Sequence, residues 1–167
     1  SSLSEALAAV ERAARRGGGR PILGGGWDES TWPERRPPTA AELDRAAYGG
    51  SVYLARVDVH SAVVSSSLMA AVPGLSALPG YDPNGWQHEP AAHDAVREAA
   101  LAAITAAHRR EAQRAFLRHA ASHGIACVHE MGGPIISSPD DLSDLLEISR
   151  TEAVAEVVGY WGEMHGV

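Results

Sequence analysis

The second half of the sequence alternates helical and extended patterns, and this alternation constrains the fold most. Residues 91–123 carry apolar positions at helical spacing, as one long helix or a broken pair, and Gly124 is placed to end it. A short apolar run at 125–129 predicts a buried strand, and a serine, a proline and two aspartates at 138–141 predict a helix start. Residues 154–160 predict a final strand. This order is typical of α/β proteins with parallel strands.

The first half breaks this rhythm. Residues 2–16 predict an amphipathic helix, and residues 20–23 a short strand that leads into three glycines. Alternation over 51–60 predicts the best strand of the chain, 61–72 reads as a helix, and 73–90 is a long irregular stretch. The region from the glycines to about residue 90 therefore resembles an insertion.

Composition and charge exclude several classes of function. The 167 residues are 45% hydrophobic and 21% charged, which is typical of a globular domain. A net charge of −7 argues against binding to nucleic acid or to anionic membranes, and no apolar run reaches the ~18 residues of a membrane span. The single cysteine, Cys127, excludes an internal disulfide, favours a cytoplasmic location and is predicted to be a packed core thiol.

Two polar constellations are candidates for chemistry. Alternation points Arg56, Asp58 and His60 to one side of a strand near its carboxyl end, where α/β sites are built; a solvent-facing row on an edge strand explains the pattern equally simply. His129 and Glu130 follow an apolar strand, and act as a metal ligand, a general base or a substrate contact, or else as a structural hydrogen bond.

Other polar groups fit chemistry less well. His88 and His93 lack the spacing of a metal pair and are predicted to be surface or hydrogen-bonding residues. His119 and His123 are four apart on a helix, but have no third ligand. The glycines at 24–26 lack the lysine and framing of a phosphate loop, so a flexible turn is predicted.

Several blocks in order resemble one known family. The blocks are Gly26-Trp27-Asp28-Glu29-Ser30-x-Trp32, Pro38-Thr39, Val52-Tyr53-Leu54-x-Arg56-x-Asp58-x-His60-Ser61, Gly124-Ile125-Ala126-x-Val128-His129-Glu130 and Val157-Val158-Gly159-Tyr160-Trp161-Gly162. Together they resemble the YtcJ-type branch of the amidohydrolase superfamily, which includes enzymes similar to N-substituted formamide deformylase. The resemblance extends over nearly the whole chain.

The resemblance implies a metal-dependent (β/α)8 barrel that hydrolyses amide-type C–N bonds. In such enzymes a divalent metal, here expected to be zinc, activates a water molecule. The superfamily holds its metal with a His-x-His on the first barrel strand, a lysine or other bridging group, two later histidines and an aspartate. This sequence contains neither a His-x-His nor any lysine, since all 14 basic residues are arginine.

The resemblance therefore implies an internal segment of the barrel, of α/β class: a partial (β/α)8 TIM-barrel segment with an inserted α+β subdomain. Residues 1–23 are expected to form a barrel helix and the start of a strand. Residues 24–90 are the pocket-covering insertion, and 91–167 the helix-strand-helix-strand part. By resemblance Trp27, Asp58, His60 and Glu130 face substrate. No catalytic residue and no metal ligand is expected in this segment, and no cofactor for the segment alone.

We therefore expect a parent hydrolase acting on a small-molecule amide, with this chain alone inactive. The alternatives are a non-catalytic binding or interaction module, and a truncation product without a function of its own. The start without methionine favours a chain cut from something larger. A piece of barrel has open strand edges and exposed apolar faces, so we expect the chain to self-associate.

Overall fold

A computed structural model of the chain describes residues 2–134, 137–152 and 154–162. The backbone divides into two compact units, Ser1–Ile104 and Thr105–Val167, which we call the first and the second unit. The three-part division at residues 23 and 90 stays a prediction.

The first unit is a mixed α/β structure. Its helices are α1 (Leu3–Gly17), α2 (Ala40–Ala46), α3 (Ser66–Ala70) and α4 (Pro90–Ala102), with short 3-10 turns at Glu29–Thr31 and Leu75–Ala77. Its strands are β1 (Ile22–Trp27), β2 (Val52–Arg56), β3 (Ala62–Val64) and β4 (Trp86–Gln87).

Within the described part of the first unit, the strands form one sheet in the order β1-β2-β3-β4. β1 runs parallel to β2, whereas β2, β3 and β4 are mutually antiparallel. The alternation of β2 is confirmed, because Val52 and Leu54 pack on the α1 side while Tyr53 packs on the α4 side. The sheet is thus covered on both faces.

The three glycines predicted as a turn lie inside β1 instead. Gly24 pairs with Leu54 and Gly25 with Ala55, and a Cβ at Gly24 would lie 2.9 Å from Leu54 Cδ2. The strand forms here because the backbone of β2 supplies the hydrogen bonds, and close approach to Leu54 excludes a larger side chain.

The helix predicted at 61–72 begins later than expected. Residues 62–64 form β3, and the helix occupies only Ser66–Ala70. Val63 and Val64 are fully buried opposite Leu54 and Tyr53 of β2, so β-branched side chains favour the strand here. Pairing of residues 62–64 with β2 therefore outweighs the helical spacing of their apolar side chains.

The second unit is a helix followed by a β-α-β motif. It contains α5 (Ala106–Ser122), β5 (Cys127–Gly132), α6 (Pro139–Thr151) and β6 (Glu156–Trp161), and β5 and β6 are parallel. The helix predicted to start at Ser138 is confirmed, because Ser138 and Asp141 form a reciprocal capping box with Pro139 at the first helical position. The predicted order of helix and strand is confirmed.

The helix region 91–123 is a broken pair rather than one helix. α4 ends at Ala102, and Thr105 begins α5 by accepting a hydrogen bond from the backbone N–H of His108 at 3.2 Å. Gly124 follows α5 with φ 77°, as expected of a glycine that ends a helix.

One side of the β5–β6 sheet is covered and the other is open. Leu117 of α5 with Leu145 and Ile148 of α6 packs against Val157, which forms the core of the unit. Cys127 faces the other side and is exposed, so the prediction of a packed core thiol is wrong. The prediction failed because an apolar sequence does not show whether helices cover one face of a strand or both.

No helix in the described ranges is both long and apolar enough to cross a lipid bilayer.

Gly85 provides a test of the packing around β4. Its φ of 102° is unfavourable for an L-residue, and a Cβ would lie 2.6 Å from the carbonyl oxygen of Val64. We expect Gly85→Ala to lower the free energy of unfolding by about 2–4 kcal/mol, from backbone strain plus a steric clash. Chemical denaturation measures this change.

Gly74→Ala is the matched control, because Gly74 also has a positive φ of 74° but meets nothing within 4 Å. It should show the backbone strain alone, about 1–2 kcal/mol. Equal losses in the two variants would contradict the steric account of Gly85.

Candidate functional site

The Arg56, Asp58 and His60 constellation lies at the end of β2, but only Arg56 is on the strand. Residues 57–60 form the loop that leads to β3, closed by the Arg56 N–H donating to the Ser61 carbonyl at 2.9 Å. Val59 takes a φ of 56° in this loop. The prediction that alternation aligns all three side chains on one strand face is therefore wrong. The loop brings Asp58 back towards Arg56 instead.

The guanidinium of Arg56 gathers acidic groups from two segments of the first unit. It donates to both carboxylate oxygens of Glu29, Nε to Oε2 at 2.9 Å and Nη2 to Oε1 at 3.2 Å, and from Nη1 to Oδ2 of Asp58 at 2.6 Å. Asp28 Oδ1 lies 3.7 Å from Nη2. We call Asp28, Glu29, Arg56 and Asp58 the arginine cluster.

Hydrogen bonds and nearby charges favour the ionised forms of Arg56, Asp58 and Asp28. Hydrogen bonds to Glu29 and then Asp58 raise the pKa of Arg56 above its ordinary value. The backbone N–H of His60, followed by the Arg56 guanidinium, lowers the pKa of Asp58, and hydrogen bonds from Ser30 lower that of Asp28. These carboxylates are therefore suited to binding and orientation rather than to proton transfer near pH 7.

Trp27 supports the arginine cluster from the core. Its side chain is 7% exposed, and its indole Nε1–H donates to the Leu54 carbonyl at 2.8 Å. The ring packs against Trp32 and Trp86 and lies 6.0 Å from the Arg56 guanidinium carbon. In this structure Trp27 is a buried anchor with its polar atom satisfied, whereas Asp58 and His60 are exposed.

His93 is a buried, hydrogen-bonded histidine. Of the two predicted alternatives, a surface residue or a hydrogen-bonding residue, the first is wrong, because His93 is 4% exposed, and its Nε2 lies 2.8 Å from the hydroxyl of Tyr53. Its spacing to Val96 and Ala100 on α4 places it on the buried face of that helix, which is the signal that would have found it. His88, by contrast, is exposed as predicted.

His129 and Glu130 lie on opposite faces of β5, which continues past them to Gly132. The His129 ring stacks on Tyr160 of β6, and its Nδ1 lies 3.2 Å from the Tyr160 hydroxyl. Glu130 lines a cavity of about 320 Å³ on the helix side with Gln113, Phe116 and Ser137. Because adjacent strand residues alternate in direction, the two side chains cannot serve one pocket.

The described residues do not supply a metal site. Among them, no group of three or more His, Cys, Asp or Glu side chains is arranged to hold an ion. His119 and His123 have ring centroids 4.4 Å apart, but His123 Nδ1 is already 2.9 Å from the His119 carbonyl. The residues present therefore do not fit a bound divalent metal.

The comparisons identify the family. Residues 1–166 match the amidohydrolase family, so the match covers nearly the whole chain. The chain belongs to the amidohydrolase family. No curated protein matches it.

Two solved structures are similar to this chain. One is an uncharacterized metal-dependent hydrolase from Pyrococcus horikoshii OT3, with 22% sequence identity and a TM-score of 0.67 over 96% of this chain. The other is an uncharacterized metal-dependent hydrolase from Pyrococcus furiosus, with 26% identity and a TM-score of 0.61 over 96% of this chain. The chain spans about a third of the length of each, 31% and 32%.

Burial of His93 predicts a pH-dependent stability. Desolvation lowers its folded pKa below the ordinary value, with smaller opposing effects of Asp94 and Asp58 and added lowering by Arg97 and His60. The unfolded state therefore gains a proton first as pH falls. Stability should be complete above about pH 6.5 and decrease below it, by at most about 1.4 kcal/mol per pH unit.

Urea denaturation of the chain between pH 7.5 and 5 measures this dependence. His93→Gln retains a hydrogen-bonding group near Tyr53 without titrating, and should flatten the profile. The exposed His88→Gln is the control and should keep the wild-type slope. If the unfolding free energy of His93→Gln changes with pH as steeply as that of the wild type, groups other than His93 cause the dependence.

Proposed function

We propose that this chain is a segment of a metal-dependent hydrolase of the YtcJ type, acting on amide-type C–N bonds. The observation that carries this proposal is the amidohydrolase family match over residues 1–166. The two similar structures, both named metal-dependent hydrolases, support it. The segment contributes pocket walls and barrel strands, and by itself is inactive.

The architecture proposed for the parent is a (β/α)8 barrel of which this chain forms part. The parallel β5-α6-β6 unit supports this, because such units are the repeating element of barrels. The antiparallel β2-β3-β4 arrangement supports an inserted α+β subdomain within residues 24–90. The division at residues 1–23, 24–90 and 91–167 belongs to the same proposal.

The residues proposed to contact substrate are Trp27, Asp58 and His60 of the first unit and Glu130 of the second unit. Asp58 is held by Arg56 in an exposed loop, which leaves the adjacent His60 side chain exposed beside a fixed negative charge. Such a pair orients a polar substrate group. Trp27 acts through packing beneath the arginine cluster. Glu130 lines a separate cavity on the helix side of β5, and its carboxylate would contact substrate only there.

The proposed cofactor is a divalent metal, expected to be zinc, in the parent protein. Since the described residues do not form a site for it, its ligands would come from other parts of that protein. The proposed partner is a small-molecule amide, with no nucleic acid and no membrane, in the cytoplasm. The alternatives are a non-catalytic binding module and a truncation product.

Metal content and amide hydrolysis test the proposed function. The longest open reading frame around this segment and the 167-residue chain are both purified, dialysed against zinc and assayed for bound metal and formamide hydrolysis. We expect stoichiometric metal and activity only in the longer product. A reading frame that ends at both sides of the segment, or a longer product without activity, would favour a non-catalytic module.

In the longer product, His60→Ala should alter kcat/KM for different amides by about tenfold or more while metal content stays unchanged, because a lost hydrogen bond to a polar group costs roughly 1–3 kcal/mol. His88→Ala is the exposed control and should change neither quantity. Loss of metal in His60→Ala would assign that residue to metal binding instead.

Self-association of the isolated chain is a further expectation. Met131 is 62% exposed and Tyr160 45% exposed on the open side of β5 and β6, and apolar surface of this kind favours association. Light scattering should show a mass that rises with concentration, and Met131→Lys should reduce it. The control is Val57→Lys, which adds the same charge at a residue of the first unit that is 55% exposed. This variant should not reduce the association. A monomer at every concentration would contradict the expectation.

A further inference from the structure

The stacked pair of His129 and Tyr160 has a defined geometry on the open side of the second unit. The ring centroids are 5.7 Å apart with an interplanar angle of 15°, and His129 Nδ1 lies 3.2 Å from the Tyr160 hydroxyl. The parallel register fixes this contact, because His129 pairs with Val158 and Tyr160 follows two residues later on the same face. The imidazole is thus held by its neighbouring strand.

The packing of α6 determines which side of the sheet this pair faces. Gly159, which pairs with Glu130, faces α6, and a Cβ there would lie 2.8 Å from Leu142 Cδ1. His129 and Tyr160 therefore point away from the helix. In a (β/α)8 barrel the helices form the outer layer, so side chains opposite to them face the interior. His129 is on the interior side, at the third of the six residues of β5.

The direction of this hydrogen bond determines which tautomer of the neutral His129 ring is favoured. A phenol is a better donor than acceptor, and a neutral imidazole accepts at one nitrogen while it donates at the other. If the Tyr160 hydroxyl donates to Nδ1, the proton of the neutral ring resides on Nε2. His129 then presents an N–H donor to the open face.

We propose that His129 binds an oxygen atom of the substrate in the barrel pocket through its Nε2–H, and that Tyr160 is its positioning residue. The ligand group is a hydrogen-bond acceptor, namely the carbonyl oxygen of an amide. This inference rests on the proposed function, because the side of β5 opposite α6 faces inward only in a barrel, where substrate binds at the carboxyl ends of the strands.

The surroundings of His129 match this chemistry. Cys127, Met131 and Val158 share its face, so the donor lies among apolar or weakly polar side chains. Glu156 is opposite Cys127, at the amino end of both strands and away from the pair. A single donor in an apolar surrounding is the arrangement by which pockets orient a carbonyl group.

Nitrogen-15 NMR of the histidine side chains tests the positioning step in the 167-residue chain. Wild-type His129 should populate mainly the Nε2–H tautomer. Tyr160→Phe removes the hydroxyl but keeps the stacked ring. It should lower the population ratio of the Nε2–H to the Nδ1–H tautomer by about tenfold, which is the effect of one typical hydrogen bond. Loss of the signal in His129→Gln assigns it. Tyr48→Phe, which removes a hydroxyl from the first unit, is the control.

An Nδ1–H tautomer in the wild type, or a tautomer ratio unchanged in Tyr160→Phe, would overturn the positioning role. These outcomes depend only on β5 and β6. They are therefore separate from the metal and hydrolysis measurements on the longer product, which test the proposed function.

Titration of the longer product with acetamide tests the binding step. Acetamide carries the carbonyl acceptor and should shift the His129 Nε2–H resonance in a saturable manner, several-fold less in Tyr160→Phe. Ethylammonium has no acceptor and should leave the resonance in place. Equal shifts with both probes, or none with acetamide, would overturn the assignment of an oxygen-binding role to His129.

Discussion

The packing of α6 on one side of the β5–β6 pair is the constraint on which the second unit depends. Two parallel strands need a crossover connection, and the helix in that connection buries one face of the sheet. Gly159 permits the contact, since a side chain there would meet Leu142. The same packing leaves the opposite face open, with Cys127, His129 and Tyr160 on it. The absence of a side chain at Gly159 therefore lets α6 cover one face of the sheet, and side chains on the other face are exposed.

In the first unit, the guanidinium of Arg56 holds the loop 57–60 through Asp58, and the buried ring of Trp27 packs beside it. Arg56 is the last residue of β2, so its position is fixed by the sheet, and Glu29 and Asp58 reach it from loops on either side. Trp27 fills the space beneath. The hydrogen bonds of Arg56 to Glu29 and Asp58 fix the directions of these charged groups, which suits recognition of a polar group. The family membership of the chain gives this arrangement its context.

Local signals predicted the helices and their starts, because capping groups act within one turn. Ser138 begins its helix as predicted, and the structure shows that it forms a reciprocal capping box with Asp141. Strand ends and burial were harder to predict, since they depend on partners distant in sequence. The strand at 51–60 ends at Arg56 because the chain turns back to pair with β3. The residue types indicated which side chains could bind a ligand. Which of His129 and Glu130 faces the covered side of the sheet follows only from the position of α6.

The glycine-rich β1 has a consequence for how the first unit opens. Glycine loses more backbone entropy on ordering than any other residue, and three of them in succession contribute no side-chain packing in return. Ile22 and Trp27 at the two ends hold the strand in register with β2. We therefore expect β1 to be locally less stable than β2 and β3, and its amide hydrogens should exchange with solvent before theirs.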